Sequence, residues 1–228
     1  MSEHLGEVIE SSTTVVRAQC RQWDWVPSLG ALVRVDTEPE PVYGIVSHIA
    51  TGSLDPYRWP TAYGKTTEEL RREQPQIFEL LKTEFQAVLV GYLEGERMRS
   101  GLPPQPPRLH SFVYLCGPEE VRRFTAGLEY LRLLLSVSSG VPADELLLTA
   151  ARTAWEAHGY DRAYLIAVGK ELARLLKDDY DRLRALLRRL TEGSPSAKPK
   201  SSEGRWETED RSPVTGPRSG ETPPASAC

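Results

Sequence analysis

The 228-residue sequence predicts an α+β protein: an N-terminal six-stranded β-barrel with a helical insertion, a C-terminal α-helical region and a disordered tail. Three observations lead there. Short β-prone runs crowd the chain up to Cys116, and several of them alternate in polarity. Apolar residues recur at steps of three and four between 118 and 191, the spacing of helix faces. Beyond Gly193 the chain is rich in Pro, Ser and Gly and nearly without aliphatic side chains.

The strands come first. VIESSTTVVRAQC holds two of them, with Ser11 and Ser12 near the turn, and GALVRV, VYGIVSHIA, EFQAVLVGY and RLHSFVYLC add four more. In VYGIVSHIA, Val42, Gly44, Val46 and His48 share one face, while Tyr43, Ile45, Ser47 and Ile49 share the other. Gly30, Gly44 and Gly91 stand in or beside strands, where glycine relieves a bulge or a sharp bend. Six short strands in one region favour a closed barrel over residues 1–117, because closure removes unpaired edges. The proline-rich GLPPQPPRL before the last strand is a stiff, extended spacer.

Between the fourth and fifth strands lies an insertion at about 66–82. It opens on Gly64-Lys65-Thr66, the last three letters of a phosphate-binding loop. The rest of that motif fails: its first glycine position holds Trp59, and Pro60 has no N–H to offer a phosphate. Thr66 and Glu69 instead form the capping box T-x-x-E, so the GKT predicts a helix start. Pro75 breaks that helix and opens a second short one.

The helical region spans 118–191. Pro118 suits a first helical position, and Val121, Phe124, Leu128, Leu131 and Leu135 read as one stripe. Pro142 opens the next helix, which carries Leu146, Leu147, Ala150 and Ala154 and ends near Gly159. Asp161 caps a longer helical tract, with Gly169 a candidate interruption. Its last part has a seam of Leu172, Leu176, Leu183, Leu186 and Leu190, with Asp179 at the missing seam position. A polar residue there either fixes register against a partner or sits at the seam edge and reaches water. Around it, Asp178 and Arg182, like Lys177 and Asp181, have the spacing of helix-surface ion pairs. Residues 192–228 cannot bury enough apolar area to offset their ordering entropy and are expected to be disordered.

Composition narrows the function. Twenty-eight basic against thirty-two acidic residues give a formal net charge of −4, which supplies no global field for nucleic acid. No window approaches the ~18 apolar residues of a membrane span. The N-terminal MSEHLGEVIE has neither the basic nor the apolar region of a signal peptide. Cys20, Cys116 and Cys228 lack CxxC spacing, and the first two lie in apolar runs that predict buried, reduced thiols. These features predict a cytoplasmic protein. His4, His48, His110 and His158 form no metal-binding pair, and no nucleophile elbow is present. No catalytic, cofactor or metal residue is assigned.

The candidate interaction residues are Trp23, Trp25, Asp179, Leu183, Leu186 and Leu190. The two tryptophans flank Asp24 in the loop before GALVRV and suit stacking on a base or a partner side chain. In the plainer reading one of them closes a barrel end. The leucine seam packs on the helices beginning near 119 and 143, or it docks a second copy or a partner.

The run LGEVIESSTTVVRAQC, then VPSLGALVRV and VYGIVSHIA, then FQAVLVGYLEG and PPQPPRLHSFVYLC resembles the HerA–ATP synthase (HAS) barrel. The likeness covers roughly the first half of the chain and is nearest to standalone HAS-barrel proteins of cyanobacteria. It implies a six-stranded barrel that performs no chemistry. In HerA-type DNA translocases and rotary ATP synthases such a barrel precedes a motor, stabilises a ring and, in HerA, offers a docking platform to a nuclease. Here helices follow Cys116 where the motor would begin, so no catalytic residue carries over. The expected function is a non-catalytic interaction or assembly module, with a protein partner or self-association and no cofactor. An accessory subunit of a DNA-processing complex and an enzyme without a recognisable motif are the alternatives.

Overall fold

The computed structural model describes residues 3–55, 57, 60–137 and 141–192. The strands are β1 (Gly6–Ser11), β2 (Val15–Cys20), β3 (Leu32–Asp36), β4 (Val42–Ser53), β5 (Leu81–Glu94), β6 (Arg97–Ser100) and β7 (Phe112–Leu115). Their order is β2-β1-β7-β3-β4-β5-β6, every pairing is antiparallel, and β2 also pairs with β5. That last pairing closes a six-stranded barrel, with β6 added outside it as a hairpin on the end of β5. The expected strands are thus the barrel strands. The β6 hairpin, Arg97 to Ser100, was not expected, because RMRS carries neither alternation nor β-branched residues.

The turn between β1 and β2 is built by Ser12, whose Oγ accepts from Val15 N–H at 2.9 Å. Val8, Val16, Ala18, Val33, Val35, Val46, Phe85, Ala87, Leu89 and Val113 fill the barrel interior. The middle strands are buried on both faces. Val42 and Val46 point into the barrel, whereas Tyr43 and Ile45 face a second core shared with the helices. Ile49 departs from its expected face. A register shift between Val46 and His48 adds one residue to β4, so every side chain beyond it changes sides, and Ile49 packs with the barrel interior.

The insertion consists of α1 (Thr67–Glu73) and α2 (Gln76–Glu79), as expected from the cap and from Pro75. After β7 come α3 (Pro118–Thr125), α4 (Tyr130–Leu135), α5 (Ala143–Ala157), α6 (Arg162–Leu175) and α7 (Tyr180–Glu192). Phe124, Tyr130, Leu131, Leu134, Leu146, Leu147 and Trp155 meet Tyr43, Ile45, Val88 and Val90 in the second core. Barrel and helical region are therefore joined by one apolar cluster, and the described residues form one compact unit.

Gly91 permits this closeness: a Cβ there would lie 2.5 Å from both Arg99 O and Phe124 Cε2. Gly30 is held at φ +79°, and a Cβ on it would strike the backbone of Thr149 and Ala150 on α5 at 2.7 Å.

Two expected helices break. The stripe from Val121 to Leu135 is split at Gly127, where helix propensity is low, so that Phe124 and Tyr130 reach the same core with rings 6.1 Å apart. Gly169 leaves α6 uninterrupted. The tract breaks instead after Leu175, at residues 176–179. Of the tail expected from 192, only Glu192 is described, as the last residue of α7; residues 193–228 lie outside the described residues.

Candidate interaction surface

Local chemistry positions the insertion. Thr66 Oγ1 accepts from Glu69 N–H at 3.2 Å, and Glu69 Oε2 accepts from Thr66 N–H at 2.8 Å, completing the capping box. Those backbone and hydroxyl donors hold the Glu69 carboxyl below the usual range. Lys65, the lysine of the GKT, is engaged by Glu73 in an ion pair. Trp59, at the motif's first glycine position, lies outside the described residues.

Trp23 tethers the insertion to the barrel. Its ring stacks on Phe78 at 5.3 Å, and the Arg71 guanidinium lies over both rings, 5.7 Å from Trp23 and 5.5 Å from Phe78. Arg71 also pairs with Asp24 at 2.7 Å, and Trp23 O accepts from the Thr83 hydroxyl at 2.5 Å. Trp25 packs against the barrel interior. The two tryptophans are both half-buried and do different things.

Neither α1 nor α2 buries a residue. Leu54 is 52% exposed, Tyr57 94%, Tyr63 46% and Leu80 44%, all within or beside the insertion. A groove of about 370 Å³ lies at Tyr63 and Leu80, lined also by Leu70, Ile77, Phe78 and Leu81 and by the polar Thr61, Gln74 and Gln76; Leu54 and Tyr57 are not part of its lining. Ile77, Leu80 and Leu81 are legible in the sequence as an apolar helix face, whereas Leu54, Tyr57 and Tyr63 belong to no periodic element and were missed.

The seam at the end of the chain is different. Asp179 is not a seam residue: it lies in the break before α7, exposed, and accepts from Arg182 N–H at 3.2 Å in the manner of a helix cap. Leu186 is 2% and Leu190 1% exposed, packed with α5 residues in the second core, and Leu183 is half-buried beside them. Arg182 pairs with Asp144 at 2.7 Å rather than with Asp178, and Lys177 lies 3.9 Å from Asp178 rather than pairing with Asp181. Arg189 forms a fork with Glu145, both contacts at 2.7 Å. These ion pairs clip α7 to α5. Leu186 and Leu190 thus pack internally against the helix that begins at 143, while Leu183 also lines a surface groove along α7.

Two further polar clusters join elements, and Tyr43, Glu120 and His158 from them line an open cavity of about 670 Å³. Glu120 accepts from Arg34 Nη1 at 3.0 Å and from Tyr43 Oη at 3.1 Å, while Arg34 Nε pairs with Asp36 at 2.7 Å. The cluster ties α3 to β3 and β4. Burial, with Glu120 nearby, raises the Tyr43 hydroxyl and the Cys116 thiol well above their ordinary pKa values. Burial pushes the Cys20 thiol up to about 11. His158 stacks on Tyr164 at 3.8 Å and contacts the Thr125 hydroxyl at 3.1 Å; burial, then Arg122, lowers its pKa. His4 packs on Phe112, far in sequence from the rest, and no group of three His, Cys, Asp or Glu among the described residues is placed to hold a metal ion. No helix among them is long and apolar enough to cross a membrane.

No protein-family model matches the chain, and no curated protein matches it.

Proposed function

We propose that this chain is a non-catalytic interaction or assembly module of the cytoplasm, built on a HAS-like barrel. One observation carries the reading. The two-helix insertion buries none of its own helical residues, yet it lines a groove with Tyr63, Ile77, Phe78 and Leu80, and Leu54 and Tyr57 just before it in the chain are exposed. Held to the barrel at Trp23 and Asp24, the insertion leaves aromatic and leucine side chains exposed, and such side chains are the usual anchors of a protein interface.

The rest of the molecule supports it. The barrel interior is packed with aliphatic side chains, and the best-connected titratable groups, Arg34, Glu120, Arg182 and Arg189, are spent in holding elements together. Buried, unpaired thiols at Cys20 and Cys116 suit a reducing compartment. The closed six-stranded barrel is the architecture that the HAS resemblance implies, and in HerA the corresponding barrel offers a docking platform.

The test compares full-length tagged wild type with Tyr63→Ala/Leu80→Asp, purified from the cells that make the protein. The double variant changes half-exposed side chains and should keep its melting temperature. It should lose the associated protein, while an Arg184→Ala control on the outer side of α7 keeps it. Retention of every association by a folded double variant would sink the reading.

A further inference from the structure

The outer edge of β4 beyond Val46 presents main-chain groups that no described residue uses. Up to Val46 that edge is occupied. β3 pairs with Val42–Ile45, Val46 N–H donates to Ala31 O at 3.0 Å, and Val46 O accepts from Gly30 N–H at 2.8 Å. From His48 to Ser53, β4 pairs with β5 alone. Residues facing a neighbour alternate along an antiparallel ladder, so the direction of each group follows from one bond. Leu54 N–H donates to Leu80 O at 2.7 Å, so Gly52, Ala50 and His48, in the same alternation, also face β5. Ile49, Thr51 and Ser53 therefore turn both N–H and C=O outward. Among the described residues no backbone group meets them.

This edge also lacks protection. Edge strands are normally kept from pairing by lysine, proline or an inward charge, and SHIATGS, residues 47–53, contains none of these. Thr51 is exposed, and Ile49 and Ser53 are half-buried.

We propose that the edge pairs with the same edge of a second copy of this chain, antiparallel, about a two-fold axis at Thr51. In that register Thr51 lies opposite Thr51, Ile49 opposite Ser53 and Ala50 opposite Gly52. Every outward donor and acceptor of one strand then meets one of the other. A register centred on Ala50 would instead set Ser53 against Ser47, within the bulge, and leave it unpaired. The self-pairing opposes no like charges, and Ala50 and Gly52 leave the strands free to approach. The two-fold arrangement closes on itself, so assembly stops at the dimer. The inference rests on the assembly-module reading but uses main-chain groups, of which only those of Ser53 belong to a residue that also lines the insertion's groove.

Proline distinguishes the two sides of the strand. Thr51 N–H points away from β5, so Thr51→Pro removes an outward donor and leaves the barrel ladder intact. Thr51→Val keeps that N–H while losing the hydroxyl contact to Thr83 at 2.7 Å, which the proline also loses. Sedimentation of the full-length chain over a range of concentrations should show a dimer for wild type and Thr51→Val. Thr51→Pro should weaken it at least about tenfold, from the lost hydrogen bonds on both strands, with unchanged circular dichroism. In wild type, amide exchange at Ile49, Thr51 and Ser53 should slow as concentration rises through the dimer range, and this reads the edge without any substitution should the proline variant fail to fold.

A wild type that stays monomeric throughout, outward amides whose exchange ignores concentration, or a folded Thr51→Pro that dimerises like wild type would overturn the proposal. Protection of those amides only when another polypeptide is bound would assign the edge to that polypeptide and overturn self-pairing too. The groove variant Tyr63→Ala/Leu80→Asp should still dimerise, so a failed groove and a failed edge give different results.

Discussion

Replacing Glu120 by alanine tests how the barrel is fastened to the helical region. The carboxylate accepts from Arg34 Nη1 at 3.0 Å and 3.3 Å and from Tyr43 Oη at 3.1 Å. Arg34 and Glu120 side chains are 27% and 23% exposed, so their attraction is screened and falls well short of a fully buried pair. Tyr43, at 3% exposed, has no such relief: without Glu120 its hydroxyl is left against an apolar core. Charge-assisted hydrogen bonds are worth about 1.5–3 kcal/mol each, and the screened Arg34 bond belongs at the low end. A combined loss of about 2–3 kcal/mol follows, or about 4–12 °C in melting temperature for a unit of this size. Glu120→Gln keeps one acceptor oxygen and should lose about half as much.

Thermal and urea unfolding of Glu120→Ala, Glu120→Gln, Tyr43→Phe and the Glu120→Ala/Tyr43→Phe double variant supply the measurement. Because the two side chains touch, the double-mutant cycle should give a coupling of about 1 kcal/mol. Additivity within error, or a melting temperature for Glu120→Ala within a degree of wild type, would refute the idea that this cluster fastens α3 to the barrel.

Two further outcomes follow from the caps and clips. Thr66→Ala should cost about 1 kcal/mol through the lost cap and speed amide exchange in α1, whereas Lys65→Ala should change little and ATP should not raise the melting temperature; an ATP-dependent rise abolished by Lys65→Ala would restore a nucleotide site. The Glu145 carboxyl is held below its usual range by Arg189, so its stabilisation is present above the unfolded value of about 4.3 and is lost as pH falls through the lowered folded value. Melting temperature should therefore drop below about pH 4.5 less steeply in Glu145→Gln than in wild type, and identical slopes would show that the Arg189 fork does not hold α7.

Much of this molecule was legible one segment at a time. Alternation in VVRAQC and VYGIV marked strands because both faces of a strand report their environments within a few residues. Thr66, Glu69 and Asp161 marked helix starts because a cap satisfies N–H groups two or three positions away, and Pro75 and Pro118 because a fixed φ and a missing N–H suit a first turn. Trp23, Trp25 and the leucines of α7 stood out as large apolar residues needing a neighbour, but which neighbour was not local information. Trp23 met Phe78 and Arg71 from an insertion more than forty residues away, and Leu186 and Leu190 met α5.

What the sequence determined by itself was therefore the kind and approximate place of each barrel strand and most helices, since propensity, periodicity and capping act over a few residues. What only the tertiary structure decided was everything that depends on distant partners. The β2–β5 pairing closes the barrel, the bulge at Ser47 turns Ile49 inward and Thr51 main chain outward, and Asp179 becomes a cap once α6 and α7 separate. Each of these is settled by which surfaces are brought into contact. The same periodic leucines can serve one long helix or two short ones, and burial against α5 selects the second.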